Sequence, residues 1–165
     1  VRRNPVAGSC EDVTVVFDLM INDIDLVRRM GFEDPVSLSA CGHADEADAK
    51  FVFADGATVT FEASRLAASR ERRMTIDYGV GVVEIDFINR KISNTTGVET
   101  AATFDQGGPA LSDPLGYGVA RFLDAVRGEG PPAISGDDGR DVLEWALMIE
   151  REILSLAPAK RSVTA

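Results

Sequence analysis

Apolar residues return along this chain first at every third or fourth position, then at every second, then at every third or fourth again. Phe17, Met20, Ile21, Ile24 and Val27 carry the first helical period and predict an amphipathic helix over residues 13–29. Asp12 stands where an N-cap belongs, and Gly31 where the helix should stop. From Pro35 the period shortens to two. Val36, Leu38 and Ala40 alternate with Ser37, Ser39 and Cys41, and Ala49, Phe51 and Phe53 do the same up to Asp55-Gly56, a pair favoured in two-residue hairpin turns. Val59, Phe61 and Ala63 mark the return strand, with Thr58, Thr60, Glu62 and Ser64 on its other side. Residues 73–78 and 82–88 predict a second hairpin around Gly79 and Gly81, followed by a short strand at 91–93.

Residues 95–113 read as a long polar loop containing Gly107, Gly108 and Pro109, a length uncommon in compact domains unless the loop binds something or moves. Two helices close the chain. Residues 114–127 present Leu115, Val119, Phe122, Leu123 and Val126 as an apolar stripe. Residues 138–156 present Leu143, Ala146, Leu147, Ile149, Ile153 and Leu154, with Trp145 expected in the core. No internal repeat is visible. The order predicts an α+β fold, a largely antiparallel open sheet with helices on one face, formed by residues 1–157 as one domain with a fraying tail at 158–165. The sheet's other face is rich in Ser, Thr and charge. It is either solvated or paired with another subunit's sheet, and helices on one side only favour a homo-oligomer, simplest as a homodimer.

Bulk properties narrow the partners. At 165 residues the chain fits one domain able to bury roughly 70% of its unfolded surface. No apolar run reaches the ~18 residues of a membrane span, and no basic segment followed by an apolar one marks export, so a cytoplasmic protein with no membrane partner is expected. The chain opens on Val1 rather than Met, as a piece of a longer protein would. With 27 acidic and 17 basic residues the net charge is −10, which repels a phosphate backbone and argues against nucleic acid. Cys10 and Cys41 make no disulfide framework.

Chemistry concentrates on the first helix. Asp18, Asn22, Asp25 and Arg29 are spaced by four, three and four, which places them on one polar face. That face is either plainly solvated or turned toward a substrate. The segment 15–27, followed by Phe61-Glu62-Ala63-Ser64-Arg65, the strand at 70–78, Phe122-Leu123-Asp124-Ala125-Val126-Arg127 and Ser135-Gly136-Asp137-Asp138-Gly139-Arg140, resembles the substrate-side domain of the glucose–fructose oxidoreductase/inositol dehydrogenase (Gfo/Idh/MocA) family. The resemblance covers most of the chain. It implies a C-terminal domain like that of dihydrodipicolinate reductase, with a sheet that carries the oligomer contact. A Rossmann domain that binds NAD or NADP precedes it in the family but is absent from these residues. It implies that the helix face looks into the cleft between the domains, where an Asp, a His four residues on and an Asp three further act on a sugar or cyclitol hydroxyl. Carried over, Asp18 takes the first acidic position, Asn22 that of the basic His and Asp25 the last. Asn22 is a chemical departure, because an amide cannot accept a proton and loss of a positioned base typically costs about 10²–10⁴ in rate.

No dinucleotide fingerprint is present. Gly79-Val80-Gly81-Val82-Val83-Glu84 has Glu where the third Gly belongs and lies in a predicted hairpin, so the residues alone are not expected to hold a cofactor or to be active. His43, with Cys41, Asp45, Glu46 and Asp48 nearby, matches no metal-ligand spacing and is expected in a hairpin-end loop, so no metal is expected. Arg65, Arg70, Arg72 and Arg73 form the one basic cluster. They are either a solvated turn or an anion contact, and Arg65 is the candidate substrate-binding residue. The expected function is a substrate-binding and oligomerisation domain of an NAD(P)-dependent oxidoreductase acting on a sugar-like or cyclitol hydroxyl/carbonyl. The alternative is a non-catalytic binding or dimerisation module of the same fold.

Overall fold

The computed structural model describes residues 1–5, 12–99 and 108–156. Along the chain run strand β1 (Arg2–Arg3), a π-helical turn (Val16–Met20) leading into α1 (Ile21–Arg29), then β2 (Ser37–His43), β3 (Glu46–Val52), β4 (Thr58–Ser64), β5 (Glu71–Asp77), β6 (Val82–Asp86) and β7 (Lys91–Asn94). Helices α2 (Pro109–Ser112), α3 (Pro114–Val126) and α4 (Gly136–Leu156) follow. The class is α+β, and the described residues contain no Rossmann unit. Two compact units are distinguished, residues 1–71 with the chain from 140 onward, and residues 72–139. The expected tail at 158–165 and residues 100–107 of the expected 95–113 loop lie outside the described residues. The end of that loop is helical rather than irregular, as α2.

In the first unit β2, β3 and β4 form an antiparallel meander, with Ala40 opposite Ala49 and Ala49 opposite Phe61. The residues at period two therefore share one face, and that face is the core. Phe51 is fully buried there, edge-on to Phe61 at 5.5 Å and to Trp145 of α4 at 4.9 Å. Trp145 also donates its indole N–H to Asp34 at 3.1 Å and carries the Arg28 guanidinium 4.9 Å above its ring. β1 joins the far edge in parallel, pairing Arg2 with Ala63 and Arg3 with Ser64. Two residues are too few to show a period, so the sequence pattern does not reveal this strand.

Two expectations about the first helix are corrected. Asp12 does not cap it. The helix starts with no side-chain cap, and the Val15 N–H instead meets the Ala44 carbonyl of the β2–β3 turn at 2.7 Å. The buried stripe is also rotated. Val15, Val16, Leu19, Met20, Ile24 and Val27 are buried, while Phe17 and Ile21 are only partly so. The cause is the π turn, in which the Ile21 N–H reaches back five residues to the Val16 carbonyl and inserts one residue into the helical period. Gly31 stops the helix as expected, at φ +90°.

At the other end, Ser135 and Asp138 cap α4 reciprocally. Asp138 accepts from the Ser135 N–H at 2.8 Å, and Ser135 Oγ accepts from the Asp138 N–H at 3.1 Å. α4 buries Val142, Trp145, Ala146 and Ile149 rather than Leu143, Leu147 and Leu154, which are exposed.

In the second unit β5, β6 and β7 are antiparallel. Met74–Ile85–Ile92 line one face and Thr75–Glu84–Ser93 the other. Asp113 caps α3 by accepting from the Gly116 N–H at 2.9 Å, and Pro114 occupies its first turn. The α3 stripe expected in a core is not buried. Leu115 is 79% exposed and Val126 68%.

Because Trp145 meets Phe51, Phe53 and Asp34 at once, Trp145→Ala is expected to cost about 3–5 kcal/mol, read as a fall in the urea midpoint at unchanged slope. Trp145→Phe should recover most of that loss. Equal losses for the two would show that ring packing is not what holds α4.

Candidate functional site

Arg65, just past β4, is the centre of the polar arrangement. Its side chain is 3% exposed. Register explains the position: Ser64 pairs with Glu46, so the next residue lies beside the β2–β3 turn, and the Arg65 N–H donates to the Asp45 carbonyl at 2.9 Å. Its guanidinium donates from Nε and Nη2 to Asp18 Oδ2 at 3.1 and 3.0 Å, from Nη1 to Asp45 Oδ1 at 3.2 Å, and from Nη2 to the Val13 carbonyl at 2.8 Å. Burial opposes the charge, but the hydrogen bonds that Arg65 donates to Asp18 and Asp45 outweigh it and hold the Arg65 pKa above the ordinary arginine value.

Asp18 sits in the π turn between buried Val16 and buried Leu19 and Met20, so its backbone is fixed from below while its side chain stays 42% exposed. Both Arg65 N–H groups fall on Oδ2, which leaves Oδ1 free of that fork. Asn22 lies one turn further and is exposed. Its amide donates back to the carbonyls of Asp18 at 3.2 Å and Leu19 at 3.3 Å. Asp25 faces Arg29 instead, with Nε donating to Oδ2 at 2.9 Å. Asp18 and Asn22 are thus neighbours through the helix backbone, and Asp25 belongs to a separate ion pair.

Of the basic cluster, Arg65 is the member that meets Asp18 and Asp45. Arg70 is exposed, Arg72 lies 4.8 Å above the Phe87 ring, and Arg73 stands opposite Asp86. The sequence reading missed Asp45, the second carboxylate on Arg65, because a turn Asp has an ordinary reason to be there. His43 ends β2 rather than standing in a loop, and its Nδ1 accepts from the Asp45 N–H at 3.3 Å. No group of three metal-ligating side chains occurs among the described residues.

A second feature occupies the polar face of the same unit, a cleft of about 450 Å³ bordered by Arg3, Glu46, Asp48, Thr60, Glu62 and Leu66 among others. Asp48 is directly opposite Glu62, and Arg3 approaches Glu62 at 3.5 Å. Burial, then Glu62 and Glu46, push the Asp48 carboxyl above its ordinary value, with Arg3 pulling the other way.

The residues do not fit a dinucleotide. Gly79, at φ +75°, turns the β5–β6 hairpin. Gly81 is glycine because a Cβ there would lie 2.6 Å from the Thr95 carbonyl oxygen. Neither opens a helix, so no described residue offers the phosphate cradle such a cofactor needs.

No family profile matches the chain. The UDP-N-acetylglucosamine 3-dehydrogenase of Acidithiobacillus ferrooxidans is 29% identical over 164 residues, covering 90% of this chain and 51% of that protein. Two solved structures of that enzyme superpose with TM-scores of 0.77 and 0.73, at 29% and 28% identity, covering 93% of this chain and 52% of theirs. The WlbA dehydrogenase of Bordetella pertussis, solved with NADH and UDP-GlcNAcA, shares the fold at a TM-score of 0.67 and 15% identity, over 87% of this chain and 46% of that one. The aldose–aldose oxidoreductase of Caulobacter crescentus does so at 0.70 and 18%, over 93% and 52%. The chain spans about half the length of these relatives.

Two measurements follow from the charges. A lysine ammonium cannot span Asp18, Asp45 and the Val13 carbonyl together, so Arg65→Lys should destabilise by about 1–3 kcal/mol in urea unfolding. A midpoint within error of the parent's would remove the tie from the account. Asp48, whose carboxyl binds its proton more tightly folded than unfolded, costs stability once ionised. Asp48→Asn should therefore raise the unfolding midpoint at neutral pH, and the gain should fade as pH falls through the carboxylate range.

Proposed function

We propose that this chain, a C-terminal domain of the Gfo/Idh/MocA oxidoreductases, forms the substrate-facing half of an NAD(P)-dependent enzyme. That enzyme oxidises or reduces a hydroxyl/carbonyl pair on a sugar-like or cyclitol substrate, with a sugar nucleotide favoured by the 29%-identical dehydrogenase. The nicotinamide is held by residues outside those described here, and the chain's own part is confined to substrate and proton. The observation that carries this reading is Asp18, anchored through Oδ2 on a buried arginine while the rest of its carboxylate stays accessible. An accessible carboxylate held in one orientation can accept a hydroxyl proton. Asn22 orients the substrate by hydrogen bonds and cannot take the proton itself. Arg65 acts on the substrate through Asp18, because four of its five N–H donors are already engaged. Asp25 completes the polar rim of the helix.

The open face of the β2–β4 sheet, with its cleft, serves as the contact between copies. No helix of the described residues is long and apolar enough to cross a membrane, and a reducing cytoplasm suits the exposed thiol of Cys41.

One observation favours the alternative of a binding module without chemistry: the Asn22 amide is turned onto its own helix rather than outward.

Nicotinamide absorbance in the full-length protein, with UDP-N-acetylglucosamine and NAD⁺ or NADP⁺, separates the two. Turnover that falls about 10²–10⁴-fold in Asp18→Asn, and rises in Asn22→His, is expected for the enzyme. Undiminished turnover in Asp18→Asn would exclude Asp18 as the base. Retained sugar-nucleotide binding without turnover, in both the parent and Asn22→His, would establish the binding module. Sedimentation tests the sheet contact: the protein should self-associate in the micromolar range or below, and a strict monomer at higher concentration would refute it.

A further inference from the structure

We infer that the apolar face of α3 is the seat on which the nucleotide-binding half of the full-length protein docks. The inference rests on the reading of this chain as one half of such an enzyme. Leu115, Val119, Phe122 and Val126 are separated by four, three and four residues, which aligns them along about 17 Å of helix. Phe122 is 63% exposed and Val119 51%. Asp124, half a turn away, pairs with Arg121 at 3.3 Å and Arg127 at 3.7 Å, so the polar side of the helix is satisfied within itself. Both ends are fixed locally, by the Asp113 cap and by Gly128 at φ +78°. The helix is therefore finished in every respect except the packing that normally stabilises an amphipathic helix.

The deficit extends beyond α3. Every fully buried apolar side chain among the described residues belongs to 1–71 or to the chain from 140 onward, and none to 72–139. A stretch of that size without a buried apolar side chain needs a surface to lie against.

Two facts select the occupant. The relatives are about twice as long as this chain, so each carries a further half of comparable size on the same polypeptide. A tethered surface meets α3 at high effective concentration without the entropy cost of bringing two molecules together. A second copy is disfavoured on α3 because the contact between copies is given to the open β2–β4 sheet face.

Hydroxyl-radical footprinting of the full-length protein tests the docking, with Tyr78 as internal reference because it is 59% exposed in the turn after β5. Leu115 and Phe122 should react several-fold more slowly, relative to Tyr78, than their exposures in this chain would give, and this protection should be independent of protein concentration. NADH binding, followed by its fluorescence, is measured on the same sample. Full labelling of Leu115 and Phe122 in a protein that binds NADH would overturn the docking and leave the two-half enzyme standing. Protection that grows with concentration would assign the stripe to a second copy and also overturn it. A full-length protein that binds neither NADH nor NADPH would remove the enzyme reading, and the inferred occupant with it.

Discussion

A charged guanidinium that is 3% exposed can persist only if its donors are met, and Arg65 sets that condition on three separate stretches of chain. It requires Asp18 from the π turn, Asp45 from the β2–β3 turn and the carbonyl of Val13, which lie 47, 20 and 52 residues away in sequence. Removing any one leaves the others facing a partly unmet buried charge, so the contacts form as a set. This is what gives Asp18 a fixed orientation. The same set places the helix start against the hairpin, because Val15 completes it by donating to Ala44. A carboxylate on the surface of an ordinary helix samples several rotamers. Here one oxygen is held by two N–H groups and the backbone beneath is walled by Val16, Leu19 and Met20.

Much of the architecture is legible in the sequence because periods of two and of 3.6 impose different faces on the chain. The alternation through Leu38, Ala49, Phe51 and Phe61 suffices to order three strands, and Gly31 and Asp55-Gly56 to end a helix and turn a hairpin. The site is less legible for reasons that are equally physical. A π turn leaves no mark in an apolar pattern, since one inserted residue only exchanges Phe17 and Ile21 for Val16 and Leu19. Arg65 looks like a turn arginine until the register of β3 on β4 brings it to Asp45. The pairing of Asp25 with Arg29 is implicit in their spacing of four, yet spacing alone cannot say which of two acidic neighbours an arginine chooses.

The two faces of the β2–β4 sheet show how composition alone can mislead about stability. On one, aromatic rings meet at 4.6 to 6.4 Å and supply the core. On the other, Asp48 stands directly opposite Glu62, an arrangement that is unfavourable by itself and is only partly relieved by Arg3. Like charges across a strand pair are an inefficient way to stabilise a fold. They are a reasonable way to keep a broad sheet face from sticking indiscriminately.

Burial is distributed just as unevenly along the chain. The residues that carry Asp18 and Arg65 rest on a closed aromatic core, whereas the described residues of 72–139 bring apolar side chains to their surfaces without fully burying any of them. An enzyme needs its proton-handling groups held to a fraction of an ångström, and that precision comes from rigid packing under the site. It can leave other surfaces incomplete wherever a neighbouring domain will finish them. Dense packing under Asp18 and sparse packing around α3 are therefore both in keeping with the proposed division of the enzyme into two halves: a site precise in itself, and a face that would gain its packing only when the other half is present.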